Sequence, residues 1–308
     1  MTSLNRYFQV YALTTFLTML VLVLSACGTP TSGKGPITVG GKLDTEGQLL
    51  TTLYTLLLRK NGFTVNEKLA YGDTNGNFNA IQKGSIDLYA EFTGTALNLL
   101  KINSTFNPQK DYDTIKKDYE QKYKITWLDR SANLNDGYAL CMAKSQSQAL
   151  GITTLSQLAP KVSQLILESP SDGTPFVDDL KTTYGFDSNS FKQTQPVDYA
   201  IGVTAVVKSR ADVTVCYTTD GSIPRQNLVF LQDNKNGFPA FNPAPLLRDS
   251  VLSKYPEIQT ALNPLAPYLT TDVSVSLQKQ VADKKVNESA RQAITDVATA
   301  FLHSKGLY

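Results

Sequence analysis

The residues of this chain best suited to hold a ligand are aromatic rings placed at turns. The stretch "DLYAEFTGTA", residues 87–96, ends a strand-like run with Glu91 and Phe92 and then turns through Thr93, Gly94 and Thr95. Those neighbours make Phe92 too exposed for an ordinary core ring, and Thr-Gly-Thr is turn chemistry. Tyr138 follows the turn "NLND", Tyr217 precedes "TTDG", and Phe241 lies in the Pro-rich "NGFPAFNPAP". Taken singly, such rings are ordinary packing residues. Four of them at strand ends and crossover segments, beside Asp136 and with few cationic side chains nearby, suit another task. Aromatic faces are electron-rich, and each contributes about 0.5–2 kcal/mol to a desolvated cation. An ammonium without N–H groups cannot be held by hydrogen bonds, so a box of rings is the chemistry open to it.

Strands and helices must present those rings. "ITVGGKL" is a β-rich run ending in glycines, and "DTEGQLLTTLYTLLLRKNG" carries a helix start in Thr45-x-x-Gln48 and a stop in Asn61-Gly62. "FTVNEKLA", "NFNAIQKG" and "SIDLYAEF" read as strand, short helix and strand. The alternation continues through "KITWLD", "GYALCMA", "LILES", "FVDDLKTTYG", "YAIGVTAVVKS" and "ADVTVCYTTD". After about residue 243 the strands are expected to stop, leaving a tail of helices to the C-terminus. This order predicts βαβ units, a mostly parallel sheet and an α/β fold.

One internal similarity bears on the rings. "AIQKGSIDLYAEFTG" and "AVVKSRADVTVCYTTDG" match at a constant offset of 125 residues, which sets Ala80, Lys83, Asp87, Phe92 and Thr93 against Ala205, Lys208, Asp212, Tyr217 and Thr218. Repeated βαβ grammar can produce such a match by coincidence. The alternative is two lobes built alike, each presenting an aromatic at the carboxyl end of a strand, where ligands of open α/β sheets bind.

The N-terminus supplies an address. Arg6 precedes the apolar "ALTTFLTMLVLVL", too short for a full membrane span, and "LSAC" (Leu24–Cys27) resembles the lipobox of bacterial lipoproteins. That resemblance implies cleavage of residues 1–26 and lipid on Cys27. Residues 27–36 then read as a flexible tether rich in Gly, Ser, Thr and Pro. Removing Arg6 lowers the formal net charge from +2 to +1, so no basic excess recommends nucleic acid as a partner. Cys141 and Cys216 each sit in an apolar strand-like run; they could pair in an oxidising compartment, although buried free thiols are the favoured reading. The single histidine, His303, leaves no basis for a zinc cluster or a His-based triad, and no G-x-S-x-G elbow marks a hydrolase.

Taken together, "VGGKLDTEGQLL", "DLYAEFTGTA", "NDGYAL", "CYTTDG" and "LLRDSVLSKYPE" resemble the osmoprotectant-binding proteins of ABC importers, in order from about residue 37 to the C-terminus. The K-[LI]-D-T-E-G opening is similar to the osmotically induced, YehZ/OsmF-like branch. The resemblance implies a two-lobed type II periplasmic-binding-protein fold with a hinge, no catalysis and no cofactor. It further implies a monomer that binds a quaternary ammonium such as choline or glycine betaine and delivers it to an ABC permease. Lobe 1 would comprise residues 37–139 and 242–308, and lobe 2 residues 140–241. Such a protein is exported and lipid-anchored, at the outer face of the bacterial cytoplasmic membrane or in the periplasm. A sensory or structural lipoprotein using the same cleft is the competing reading, with an exported hydrolase behind it.

Carried over residue by residue, the resemblance makes Phe92, Tyr138, Tyr217 and Phe241 ring positions of an ammonium cage, with Asp136 as its acid. Thr74 and Thr95 fall near the ligand, and Lys42 matches a lysine that in betaine binders can face the ligand carboxylate. One departure stands out. "ESPSDGTPF" puts Pro170 where many betaine-binding relatives carry an arginine, and two Tyr-to-Phe differences remove hydroxyls at residues 92 and 241.

Overall fold

In a computed structural model of the chain, residues 33–170 and 173–308 are described. Residues 1–26, Cys27 and most of the expected tether lie outside them. Strand β1 (Lys34–Gly40) begins before the run at Ile37, so the last residues read as tether are part of the first sheet.

Among the described residues, ten strands form two five-stranded sheets. The first holds β1, β2 (Phe63–Lys68), β3 (Leu88–Phe92), β4 (Ile125–Trp127) and β10 (Pro243–Arg248), in the order β2-β1-β3-β10-β4. The second holds β5 (Tyr138–Ala143), β6 (Ile166–Ser169), β7 (Gln193–Pro196), β8 (Val213–Tyr217) and β9 (Leu228–Phe230), in the order β7-β6-β8-β5-β9. Place by place the orders correspond: β3 and β8 sit at the centres, each with a parallel strand on one side and an antiparallel one on the other. The chain passes from the first sheet to the second through residues 128–137 and returns through residues 231–242.

Helices of at least eight residues are α1 (Thr45–Lys60), α2 (Thr74–Lys83), α3 (Thr93–Leu100), α4 (Pro108–Tyr123), α5 (Thr174–Tyr184), α6 (Tyr199–Val207), α7 (Thr271–Lys284) and α8 (Ala290–Ser304). The start of α1 lies one residue before the expected box: the Asp44 carboxylate, not the Thr45 hydroxyl, caps it by accepting from Gly47 N–H. Leu49, Leu50, Leu53 and Leu57 of α1 pack with Ile294, Val297, Phe301 and Leu302 of α8, which fastens the C-terminal helices to the first lobe.

Three expectations need correction. The first is that strands end near residue 243; β10 lies between β3 and β4, antiparallel to both, despite Pro243 and Pro245. Prolines usually exclude an inner strand because they donate no ladder hydrogen bond. Here their carbonyls accept from Ser131 N–H and Leu128 N–H. Both prolines therefore face the side where β4 has given way to loop, and no ladder donor is missed. The second concerns the cysteines, which form a Cys141–Cys216 disulfide with Cα atoms 6.1 Å apart. Ala139 pairs with Cys216 and Cys141 with Thr214, so the two sulfurs lie diagonally on one face of the β5–β8 ladder. Apolar runs 75 residues apart carry no sign that they will be neighbours. The third is Phe92, which is buried: Thr93-Gly94-Thr95 is the first turn of α3, not an open loop.

Candidate functional site

The sheet topology brings the rings together. Phe92 and Tyr217 are the last residues of β3 and β8. An antiparallel neighbour must begin where such a strand ends. Tyr138, the first residue of β5, pairs with Tyr217, and Pro243, the first residue of β10, pairs with Phe92, leaving Phe241 just ahead of it. Each crossing between the lobes thus delivers a ring beside a strand end. Tyr138 lies 5.4 Å from Tyr217 and 5.7 Å from Phe241, ring centre to ring centre, so rings of both lobes meet at one place. Phe92 belongs to the same buried cluster as Phe241, with Tyr138 and Phe176 packed against it.

Two further rings that meet these escaped sequence reasoning. Phe176, in the first turn of α5, stacks on Tyr138 at 4.2 Å and lies 5.9 Å from Phe241. Tyr199 opens α6, lies 4.8 Å from Tyr217 and donates its hydroxyl to Asp220 at 2.6 Å. A signal for Tyr199 was present. Asp73-Thr74 and Asp198-Tyr199, the cap and first residue of α2 and α6, keep the same 125-residue offset as the repeat. Phe176 had only its place in "ESPSDGTPF", beside Pro170.

Small polar residues fix the rings. A Cβ at Gly94 would lie 2.7 Å from the Phe241 ring, so glycine lets that ring rest directly on α3. The Thr93 hydroxyl donates to Ala240 O at 2.8 Å and accepts from Asn242 N–H at 3.0 Å, clamping the returning segment. Phe241 N–H donates to Asn135 Oδ1 at 2.7 Å and Asp136 N–H donates to Phe241 O at 3.1 Å, which ties one crossing to the other.

Acids line one side. Asp136, Asp44, Glu46, Asp220 and Tyr217 share a cavity of about 450 Å³, with Arg225 and Lys279 also on its wall. Burial pushes the Asp136 carboxyl up to about 6, with the negative charge of Asp44 adding to it, while the Thr219 hydroxyl donates to Asp136 and works the other way. Burial also holds Glu46 well above the usual carboxylate range, helped by Asp136, although Ser274 donates to it at 2.7 Å.

Of the remaining expected residues, Lys42 is engaged by other side chains. Its Nζ lies 2.6 Å from Glu91 Oε1 and 4.7 Å from the centre of the Phe92 ring. Thr74 and Thr95 are half-buried in the first turns of α2 and α3, and their side chains take no part in the contacts that join the rings. Pro170 O accepts from Gly173 N–H and Thr174 N–H and so turns the chain into α5. Among the described residues no group of three His, Cys, Asp or Glu could hold a metal ion.

Two matching five-stranded sheets joined by two crossings give the chain the type II periplasmic-binding-protein fold of solute-binding proteins. Residues 35–303 match the family of substrate-binding domains of ABC-type glycine betaine transport systems, and the chain belongs to it. Family and fold are those of substrate-binding proteins of ABC transporters, not enzymes. The chain is 28% identical over 280 residues to the carnitine transport binding protein OpuCC of Listeria monocytogenes, covering 87% of this chain and 88% of that one. It is 27% identical over 299 residues to the glycine betaine-binding protein YehZ of Escherichia coli, covering 93% and 96%. The solved structure of apo YehZ from Escherichia coli superposes with a TM-score of 0.72 at 26% identity, over 89% of this chain and all (100%) of that one.

Proposed function

We propose that this protein captures a quaternary ammonium solute outside the cytoplasmic membrane and passes it to an ABC permease. The observation that carries this reading is the meeting of Phe92, Tyr138, Phe176, Tyr217 and Phe241, with Tyr199 behind Tyr217, beside the acid Asp136. Carnitine and glycine betaine, named for the two relatives, share a trimethylammonium head, which such faces suit. Both also carry a carboxylate, which costs free energy to desolvate unless charged or well-aligned donors receive it. Pro170 provides no guanidinium, and Lys42 is already paired with Glu91. Choline ends in a hydroxyl, which ordinary donors such as Thr74 or Thr95 satisfy. Choline, or another ligand without a carboxylate, therefore binds at least as well as glycine betaine.

Calorimetric titration of the mature chain with choline, glycine betaine, carnitine and proline betaine tests this. Tight betaine binding without detectable choline binding sinks the preference, and binding of none of the four sinks the class. Pro170→Arg is expected to improve betaine selectively. Anchoring through lipid on Cys27 belongs to the same proposal, supported by "LSAC". Labelled fatty acid should enter the wild-type chain and not Cys27→Ser.

A further inference from the structure

We infer that Glu91 sets the charge preference of the site, by holding the Lys42 ammonium against Phe92 and away from the ligand. The inference rests on the quaternary ammonium reading above and adds the residue that selects among such ligands. Lys42 leaves the end of β1 and threads past the first turn of α1, where a Cβ on Gly47 would strike Lys42 Cβ at 2.6 Å. Its side chain is 10% exposed and that of Glu91 fully buried at 0%, so their contact is made largely out of water. Glu91 is itself fixed at both oxygens: Oε1 accepts from Phe92 N–H at 2.8 Å as well as from Lys42, and Oε2 accepts from the Tyr89 hydroxyl at 3.1 Å.

Burying an ion pair seldom stabilises a fold more than well-packed apolar residues would. The second lobe illustrates the alternative. Offset by 125 residues from Glu91, the same strand position is Cys216, uncharged and fully buried. The charge is thus particular to the strand end that faces Lys42. Unpaired, the Lys42 ammonium would repel a cationic head at the neighbouring rings and attract a ligand carboxylate. Paired, it does neither strongly, because the adjacent Glu91 carboxylate offsets its field and takes one of its three donors.

The test is Glu91→Gln, which keeps the side-chain shape and removes the charge, titrated with choline and with glycine betaine. Choline should weaken by about tenfold and glycine betaine tighten by about tenfold, a shift of about a hundredfold in their ratio. Adding Lys42→Met to Glu91→Gln should return choline to within about threefold of the wild type and abolish the gain in betaine. Equal losses for both ligands would show a merely structural role and overturn the inference, as would an unmoved ratio. Should Glu91→Gln fail to fold, Lys42→Met alone decides: the uncompensated Glu91 must tighten choline as well as weaken betaine, and a loss of betaine with choline unchanged or weaker overturns the inference. A wild-type protein that binds none of choline, glycine betaine, carnitine and proline betaine overturns the quaternary ammonium reading, and this inference with it. Wild-type binding with an unmoved ratio overturns this inference alone.

Discussion

At the end of β3 the chain carries Tyr89, Glu91 and Phe92; at the matching end of β8 it carries Thr214, Cys216 and Tyr217. Both strands are entered in the same way. Asp87 Oδ2 accepts from Thr38 N–H at 2.9 Å, and Asp212 Oδ2 accepts from Ile166 N–H at 2.7 Å, so each aspartate pins the parallel neighbour of its strand. The difference lies one residue before the ring. In the first lobe that position is tied by charge, Glu91 to Lys42; in the second it is tied covalently, Cys216 to Cys141. A repeated backbone can therefore carry the same ring on two unlike supports. Only the charged support can also act on a ligand.

Removing the covalent support should have the largest effect. Cys141→Ser with Cys216→Ser, or full reduction, is expected to cost about 2–4 kcal/mol in denaturant unfolding. A negligible loss would mean that ladder and packing alone hold β5 to β8.

The shared feature comes next. Asp87→Ala and Asp212→Ala should each destabilise by about 1–3 kcal/mol, since each strips an acceptor from a strand N–H. Asp87 also meets Arg248 Nη1 at 3.3 Å, and Asp212 also accepts from Gln146. Denaturation midpoints that differ widely would break the equivalence of the two lobes.

A third expectation concerns pH at the crossing where the two copies meet. The Asp136 carboxyl rises from its ordinary 3.8 to about 6 on folding, so the folded state holds the extra proton between those values. Stability from this group is full below about pH 4 and is lost as pH rises through 6, with Glu46 shifted in the same direction. The free energy of unfolding should fall by on the order of 1–3 kcal/mol between pH 4 and 7, read by denaturant titration at each pH, and less steeply in Asp136→Asn. Equal slopes in both proteins would remove Asp136 from the account.

The rings give the smallest and sharpest contrast. Tyr217→Ala should weaken every quaternary ligand by roughly 1–2 kcal/mol in calorimetry, the scale of one desolvated cation–π contact. Phe92→Ala should cost less, because Lys42 already lies over that ring. Equal losses would place both rings on the ligand alike.

By itself the sequence determined the α/β alternation, the repeat and four of the rings. Strand periodicity, helix stops such as Asn61-Gly62 and the 125-residue offset are local or pairwise patterns that survive without coordinates. Lys42 and Asp136 could be singled out because short motifs carry them, but not what each would contact. Tertiary structure decided what those patterns leave open, namely which strands are neighbours. Antiparallel placement of β5 beside β8 made the disulfide, and β10 became an inner strand because its prolines face past the end of β4. It also brought Phe176 onto Tyr138 and turned Lys42 from a free cation into the partner of Glu91, 49 residues away. None of these is a property of one segment. Each depends on two backbones arriving at the same place, and side-chain pattern along either one does not encode the distance to the other.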